Sequence, residues 1–182
     1  MLSEAIEELR AERQGNNTAN AKTNPDVNVS LPLSAYVPVN YISDLTIRLG
    51  FYRRLAKYLN RDDLKAIKDE LVDRFGPLPN QVADLLYVVE MKSLAHSAGI
   101  TSITQDGTTG IIQFEEPISG ARLPIQKALG GTATVGNTQV RLPLKTNWKE
   151  NLLQTIDKIA SLKIQLLSLV EGKDRIESEY DP

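Results

Sequence analysis

The stretch Leu64–Pro79, LKAIKDELVDRFGPLP, constrains this chain more than any other. Leu64, Ile67, Leu71 and Phe75 recur at steps of three and four and predict one buried stripe on a helix. Lys65, Lys68, Asp69, Glu70, Asp73 and Arg74 occupy the remaining faces, with Glu70 four residues before Arg74 in the favourable acid-before-base order. Gly76 follows the last periodic residue, where a helix end favours positive φ, and Pro77 and Pro79 forbid continuation. A helix stopped this firmly presents Glu70, Asp73 and Arg74 beside a fixed exit, with Leu78 in the stiff loop as an apolar contact.

The surrounding pattern predicts helices packed around a small antiparallel sheet, an α+β fold. Val27, Val29, Leu31 and Leu33 alternate with polar residues and predict a strand that Pro32 confines to an edge or ends early. A helix over Asp44–Leu59 is expected to start at a cap from Ser43 or Asp44 and to bury Leu45, Leu49, Tyr52, Leu55 and Leu59. Gly50 inside it costs about 1 kcal/mol relative to alanine, and reads either as a close helix contact or as a neutral accident. Asn60 with Asp63 suits the start of the helix that carries Leu64, so these two helices should lie antiparallel.

A third helix is expected over Asn80–Ser97, covered on two sides because Tyr87, Val88 and Met91 widen the stripe of Val82, Leu85, Leu86, Val89 and Leu94. Ile100–Ile103 and Gly110–Phe114 predict a hairpin about Asp106-Gly107, and Thr132–Val135 with Thr138–Leu142 a second about Gly136-Asn137. Between them, Ser119 could cap a short helix reaching Leu129, with Pro124 in its first turns. Asn147 and Glu150 read as a capping box for a last helix that closes the core through Trp148, Leu152, Ile156, Ile159, Leu162, Leu166 and Leu169.

At 182 residues the chain supports one principal domain. The polar run QGNNTANAKTNPD has no period and marks a boundary, giving a helix over 1–13, a linker over 14–26, a domain over 27–170 and a frayed acidic tail over 171–182. No apolar run approaches the ~20 residues of a membrane span, and the acidic, amphipathic N-terminus lacks the form of an export signal, so a cytoplasmic location is expected. The absence of cysteine excludes disulfides, thiol catalysis and cysteine-ligated zinc, and the single His96 excludes a histidine-rich metal site.

Neither an acid pair with catalytic geometry nor a phosphate loop emerges. Glu115 and Glu116 would point to opposite faces of a strand. The glycines around Gly131–Thr138 imitate a P-loop, but Asn137 stands where the lysine belongs and the context is a hairpin. The net charge of −2 argues against a broad grip on nucleic acid. Arg53, Arg54, Lys57 and Arg61 form the one basic concentration, interleaved with Phe51, Tyr52 and Tyr58. It reads either as a phosphate contact or as a solvated face paired with acids of the next helix.

The string ELVDRFGPLP, with IRLGFYRRLA some twenty residues upstream, resembles the C-terminal module of bacterial transcription-repair coupling factors, over Asp26 to about Leu169. The resemblance implies a regulatory module of an ATP-dependent DNA translocase whose other parts bind RNA polymerase, DNA and ATP with Mg. Met1–Glu12 would be the last helix of the preceding motor domain. In that family the module packs on an N-terminal module of the same chain and hides the surface that recruits UvrA, the damage-recognition ATPase of nucleotide excision repair. The acidic residues of the family's motif fall on Glu70 and Asp73, while the family's isoleucine is Val72 here. From the residues alone, Glu70 and Asp73 read as a solvated charged face with Glu70 engaged by Arg74, and it is the resemblance that favours an interface. The expectation is a non-enzymatic, autoinhibitory interaction module without a cofactor; the alternative is an accessory domain touching nucleic acid or polymerase through the arginine cluster.

Overall fold

A computed structural model describes residues 27–57, 61–118 and 120–177, of which residues 166–177 are described as backbone only. The helix and linker expected over 1–26, the Leu59 end of the second-helix stripe, the Asn60 cap and the Ser119 cap lie outside these residues. In order, the elements are β1 (Asn28–Ser30), α1 (Leu45–Ala56), α2 (Arg61–Phe75), α3 (Asn80–Ser97), β2 (Ile100–Asp106), β3 (Thr109–Phe114), α4 (Arg122–Leu129), a 3-10 turn (Gly130–Thr132), β4 (Thr134–Val135), β5 (Gln139–Pro143) and α5 (Trp148–Glu177). The fold is α+β, with a long C-terminal helix over the sheet.

Five strands form one sheet in the order β1-β2-β3-β5-β4. The β2/β3, β3/β5 and β4/β5 pairs are antiparallel, with Ile103 opposite Ile112 and Ile112 opposite Val140. The edge strand β1 instead runs parallel to β2, so the sheet is mixed rather than wholly antiparallel. Its chain returns to β2 through three helices rather than a tight turn, and such a long crossover permits a parallel neighbour. Both hairpins turn one residue later than the sequence predicts. Asp106 pairs with Thr109, leaving Gly107 at φ 55 and Thr108 in the loop. Gly136 donates to the Gln139 carbonyl, leaving Asn137 and Thr138 as the tip.

The apolar residues separate into two cores. One lies between the sheet and α5, where Ile103, Ile112, Val140, Leu152, Ile156 and Ile159 are almost wholly shielded. The other lies among α1, α2 and the start of α3, built on Ile42, Phe51, Leu55, Leu64, Ile67 and Leu71. Helix α3 belongs to both: Val82 and Leu86 enter the helical core, Met91 and Ala95 the sheet core. The two-sided cover expected for this helix is therefore divided along its length.

The stripe expected for α1 fails, and of the two readings of Gly50 the close contact fails. The helix buries Phe51 and Leu55, while Leu45 and Leu49 are 60% and 40% exposed. Both stripes satisfy the helical period, and the ring of Phe51, set edge-on 6.0 Å from Phe75, selects the one that packs. Gly50 also has no close neighbour, since a methyl placed there would meet nothing within 4 Å. At the other end of the chain, Asn147 adopts φ 60 rather than the extended geometry of a capping box, and Glu150 accepts from the Gln154 amide at 3.3 Å. Helix α5 continues to Glu177, past Val170 where the apolar period stops.

Candidate functional site

The firm end of α2 is built as its sequence requires. Gly76 takes φ 86 and donates to the Val72 carbonyl at 2.9 Å, closing the helix. Tyr41, from the segment before α1, reaches across and places its hydroxyl 3.0 Å from both the Leu71 and Gly76 carbonyls. One phenolic proton is shared between two acceptors that the helix end leaves open. Burial raises the Tyr41 phenol above its ordinary value, so it stays a donor throughout the physiological range. Its ring also lies 5.9 Å from Phe75.

Glu70 sits between two arginines. Its carboxylate accepts from Arg54 Nη1 of α1 at 2.6 Å and from Arg74 Nη1, one turn on, at 2.7 Å. The hydrogen bond from Arg54, then that from Arg74, holds its carboxyl below the usual carboxylate range. The guanidiniums are fixed in turn by aromatic faces: Arg54 lies 5.3 Å from the centroid of the Phe51 ring, and Arg74 lies 5.0 Å from that of Phe75. Glu70, Arg54 and Arg74 thus form one braced unit joining α1 to α2.

Asp73 is different. It points away from the core, is exposed and has no charged partner among the described residues. Its neighbour Val72 is 43% exposed, a large apolar side chain left in solvent. The ELVDRF segment therefore offers a carboxylate and an isopropyl group on a surface whose backbone is anchored by Tyr41 and whose flank is braced by Glu70.

Leu78 packs inward. It is half-buried against the helical core and lines a hollow of about 440 Å³ with Leu64, Lys68, Asp69, Leu86 and Tyr87. That hollow lies on the flank of α2 opposite the one Glu70 turns to α1.

The basic residues do not converge. Arg54 is bound to Glu70, and Arg61 reaches Glu90 Oε1 of α3 and Asp157 Oδ1 of α5, each at 3.1 Å. Arg53 and Lys57 are exposed and have no partner among the described residues. Within those residues there is also no cluster of side chains able to hold a metal ion, and no helix long and apolar enough to cross a membrane. Tyr41 is the functional neighbour the sequence pattern misses, because its partners are carbonyls thirty and thirty-five residues away and leave no periodic trace.

Comparison with known proteins adds an independent line. A family profile described as the TRCF domain matches residues 31–121, which include all of α1, α2 and α3. The transcription-repair-coupling factor of Staphylococcus aureus (strain USA300) is 35% identical over 184 aligned residues, covering 98% of this chain and 15% of the relative. That of Staphylococcus haemolyticus (strain JCSC1435) is 32% identical over 161, covering 84% and 13%. Among solved structures, a crystal structure of the C-terminal domain of transcription-repair coupling factor superposes with a TM-score of 0.70 at 25% identity. It covers 79% of this chain and 98% of that one.

Proposed function

Because the chain belongs to the transcription-repair-coupling factor family, we propose that this domain is an autoinhibitory interaction module, itself without catalysis, that holds its parent closed. The chain spans about 15% of the length of the curated relatives it matches. The ATP and Mg sites, and the contacts to DNA and stalled RNA polymerase, belong in this proposal to the rest of the parent. The domain acts in the cytoplasm by packing on the parent's N-terminal module and masking the surface that recruits UvrA.

The observation that carries the reading is the outward, unpartnered Asp73 beside the exposed Val72, on a helix end fixed by Tyr41. An exposed ion pair is worth about 0.2–1 kcal/mol, so Asp73 needs apolar contact around it, and Val72 supplies that more directly than the inward-packed Leu78. Tethering within one parent chain raises the effective concentration to about the millimolar range, so a weak contact suffices to keep the module seated. Glu70 has a different part, shaping the surface by fixing Arg74. The accessory reading, with nucleic acid or polymerase as partner, retains only Arg53 and Lys57 as free cations, since Arg54 and Arg61 already bind carboxylates.

UvrA binding by the full-length parent tests the proposal. Asp73→Arg should raise UvrA affinity in the absence of stalled polymerase, while Asp106→Arg, at the β2/β3 hairpin of the sheet, should not. Equal UvrA affinity in wild type and Asp73→Arg would overturn the masking role.

A further inference from the structure

The outer flank of α1 carries a second surface, distinct from the one around Asp73. Leu45, Leu49, Arg53 and Lys57 are spaced four apart and so form one row along the helix. The row is not part of either core, because α1 packs through Phe51 and Leu55. Four of the seven exposed large apolar side chains among the described residues, Tyr36, Val39, Leu45 and Leu49, fall in this short region, with exposures of 49%, 64%, 60% and 40%. Tyr52, one turn from Leu49, packs against the helical core and ties the preceding segment to α1, its hydroxyl accepting the Val37 N–H at 2.8 Å. An apolar concentration of this kind marks an interaction surface, whereas exposed leucines scattered singly do not.

Charge indicates what covers it. The other cations of α1 are occupied: Arg48 donates to the Ile42 and Ser43 carbonyls and Arg54 to Glu70. Asp44, the acid at the start of α1, is used as the N-cap acceptor for the Ile47 N–H at 2.9 Å. Arg53 and Lys57 thus continue the leucine row with positive charge that nothing among the described residues neutralises. We propose that this row is a docking surface for an acidic amphipathic helix of a partner protein, with apolar residues seated on Leu45 and Leu49 and carboxylates on Arg53 and Lys57. The row from Leu45 to Lys57 is about 18 Å long at the rise of an α-helix, which matches the apolar stripe of a partner helix of three to four turns. Phosphate backbones would satisfy the cations but leave Leu45 and Leu49 without apolar partners. Arg54, which reaches toward Glu70, leaves α1 about 180° from Leu45, so the leucine end of the row and the Glu70 clamp lie on opposite sides of the helix.

Titration of the isotope-labelled chain by NMR tests this. The probes are a synthetic acidic peptide of leucines at helical spacing with glutamates elsewhere, the same peptide with lysines for glutamates, and a short DNA duplex. The acidic peptide should shift the amides of Leu45, Leu49, Arg53 and Lys57 and bind about tenfold more tightly than the lysine version. Leu49→Gln and the pair Arg53→Glu/Lys57→Glu should each weaken it about tenfold, with Asp73→Ala binding as wild type. Unchanged circular dichroism would establish that the variants are folded. The proposal is overturned if the acidic peptide leaves α1 unshifted or if both peptides bind equally. DNA binding that depends on Arg53 and Lys57 but not on Leu49 would overturn it too.

Discussion

Arg54 of α1 and Glu70 of α2 meet at 2.6 Å, so a member of the basic cluster in the sequence is bound by an acid of the next helix. The Glu70 carboxyl is held below its ordinary value chiefly by this bond and then by Arg74. A depressed carboxyl stabilises the fold above the unfolded pKa, about 4.3, and that contribution is lost as pH falls through the lower folded value. Glu70→Gln should therefore cost about 1 kcal/mol near neutral pH, discounted for the partial exposure of all three groups. The gap from wild type should begin to narrow below that unfolded value and close once pH has passed the lower folded one. Urea unfolding across this range measures it, and a gap that persists in acid would show that the clamp is not electrostatic.

Tyr41→Phe keeps the ring against Phe75 and removes the proton shared by the Leu71 and Gly76 carbonyls. A loss of about 1–2 kcal/mol is expected, since the acceptors are partly buried. Faster amide exchange at Gly76, whose N–H closes the helix, should accompany it.

Because α3 enters both cores, damage to either should be felt by the whole domain. Leu71→Ala in the helical core and Met91→Ala in the sheet core should each cost about 2–5 kcal/mol. Each should leave a single cooperative transition in calorimetry. Two separated transitions would mean that α3 does not couple the halves.

Gly99 ends α3 at φ 66, and a methyl there would press on the Lys163 ammonium, which donates to the Ala98 carbonyl at 3.3 Å. Gly99→Ala should destabilise by about 1–2 kcal/mol through the left-handed backbone, read as a lowered Tm.

Much of this architecture is legible in the sequence where local signals and tertiary packing agree. The α3 boundaries, the positive φ at Gly76 and the α5 stripe through Leu152, Ile156 and Ile159 follow from period and punctuation alone. Helix α1 shows the limit, because two apolar stripes compete and only the position of Phe75, supplied by another helix, decides between them. The parallel β1 is invisible for a related reason: strand direction is set by a crossover through three helices, whereas alternation records only which face is buried. At the site, the spacing reveals Glu70 and Arg74 as partners, but the separate roles of Glu70 and Asp73 depend on Arg54 arriving from another helix.

The central claim, that Asp73 is the exposed carboxylate of the closing contact, is tested most directly by calorimetry of this chain against the N-terminal module of its parent. High concentrations are needed because a contact evolved for tethered partners is weak in trans. Wild type should bind, and Asp73→Ala should lose most of the affinity with no change in Tm. Glu70→Ala/Asp73→Ala should bind no better than Asp73→Ala alone. Binding that Asp73→Ala leaves intact, or wild type that fails to bind while the domain is folded, would contradict the account.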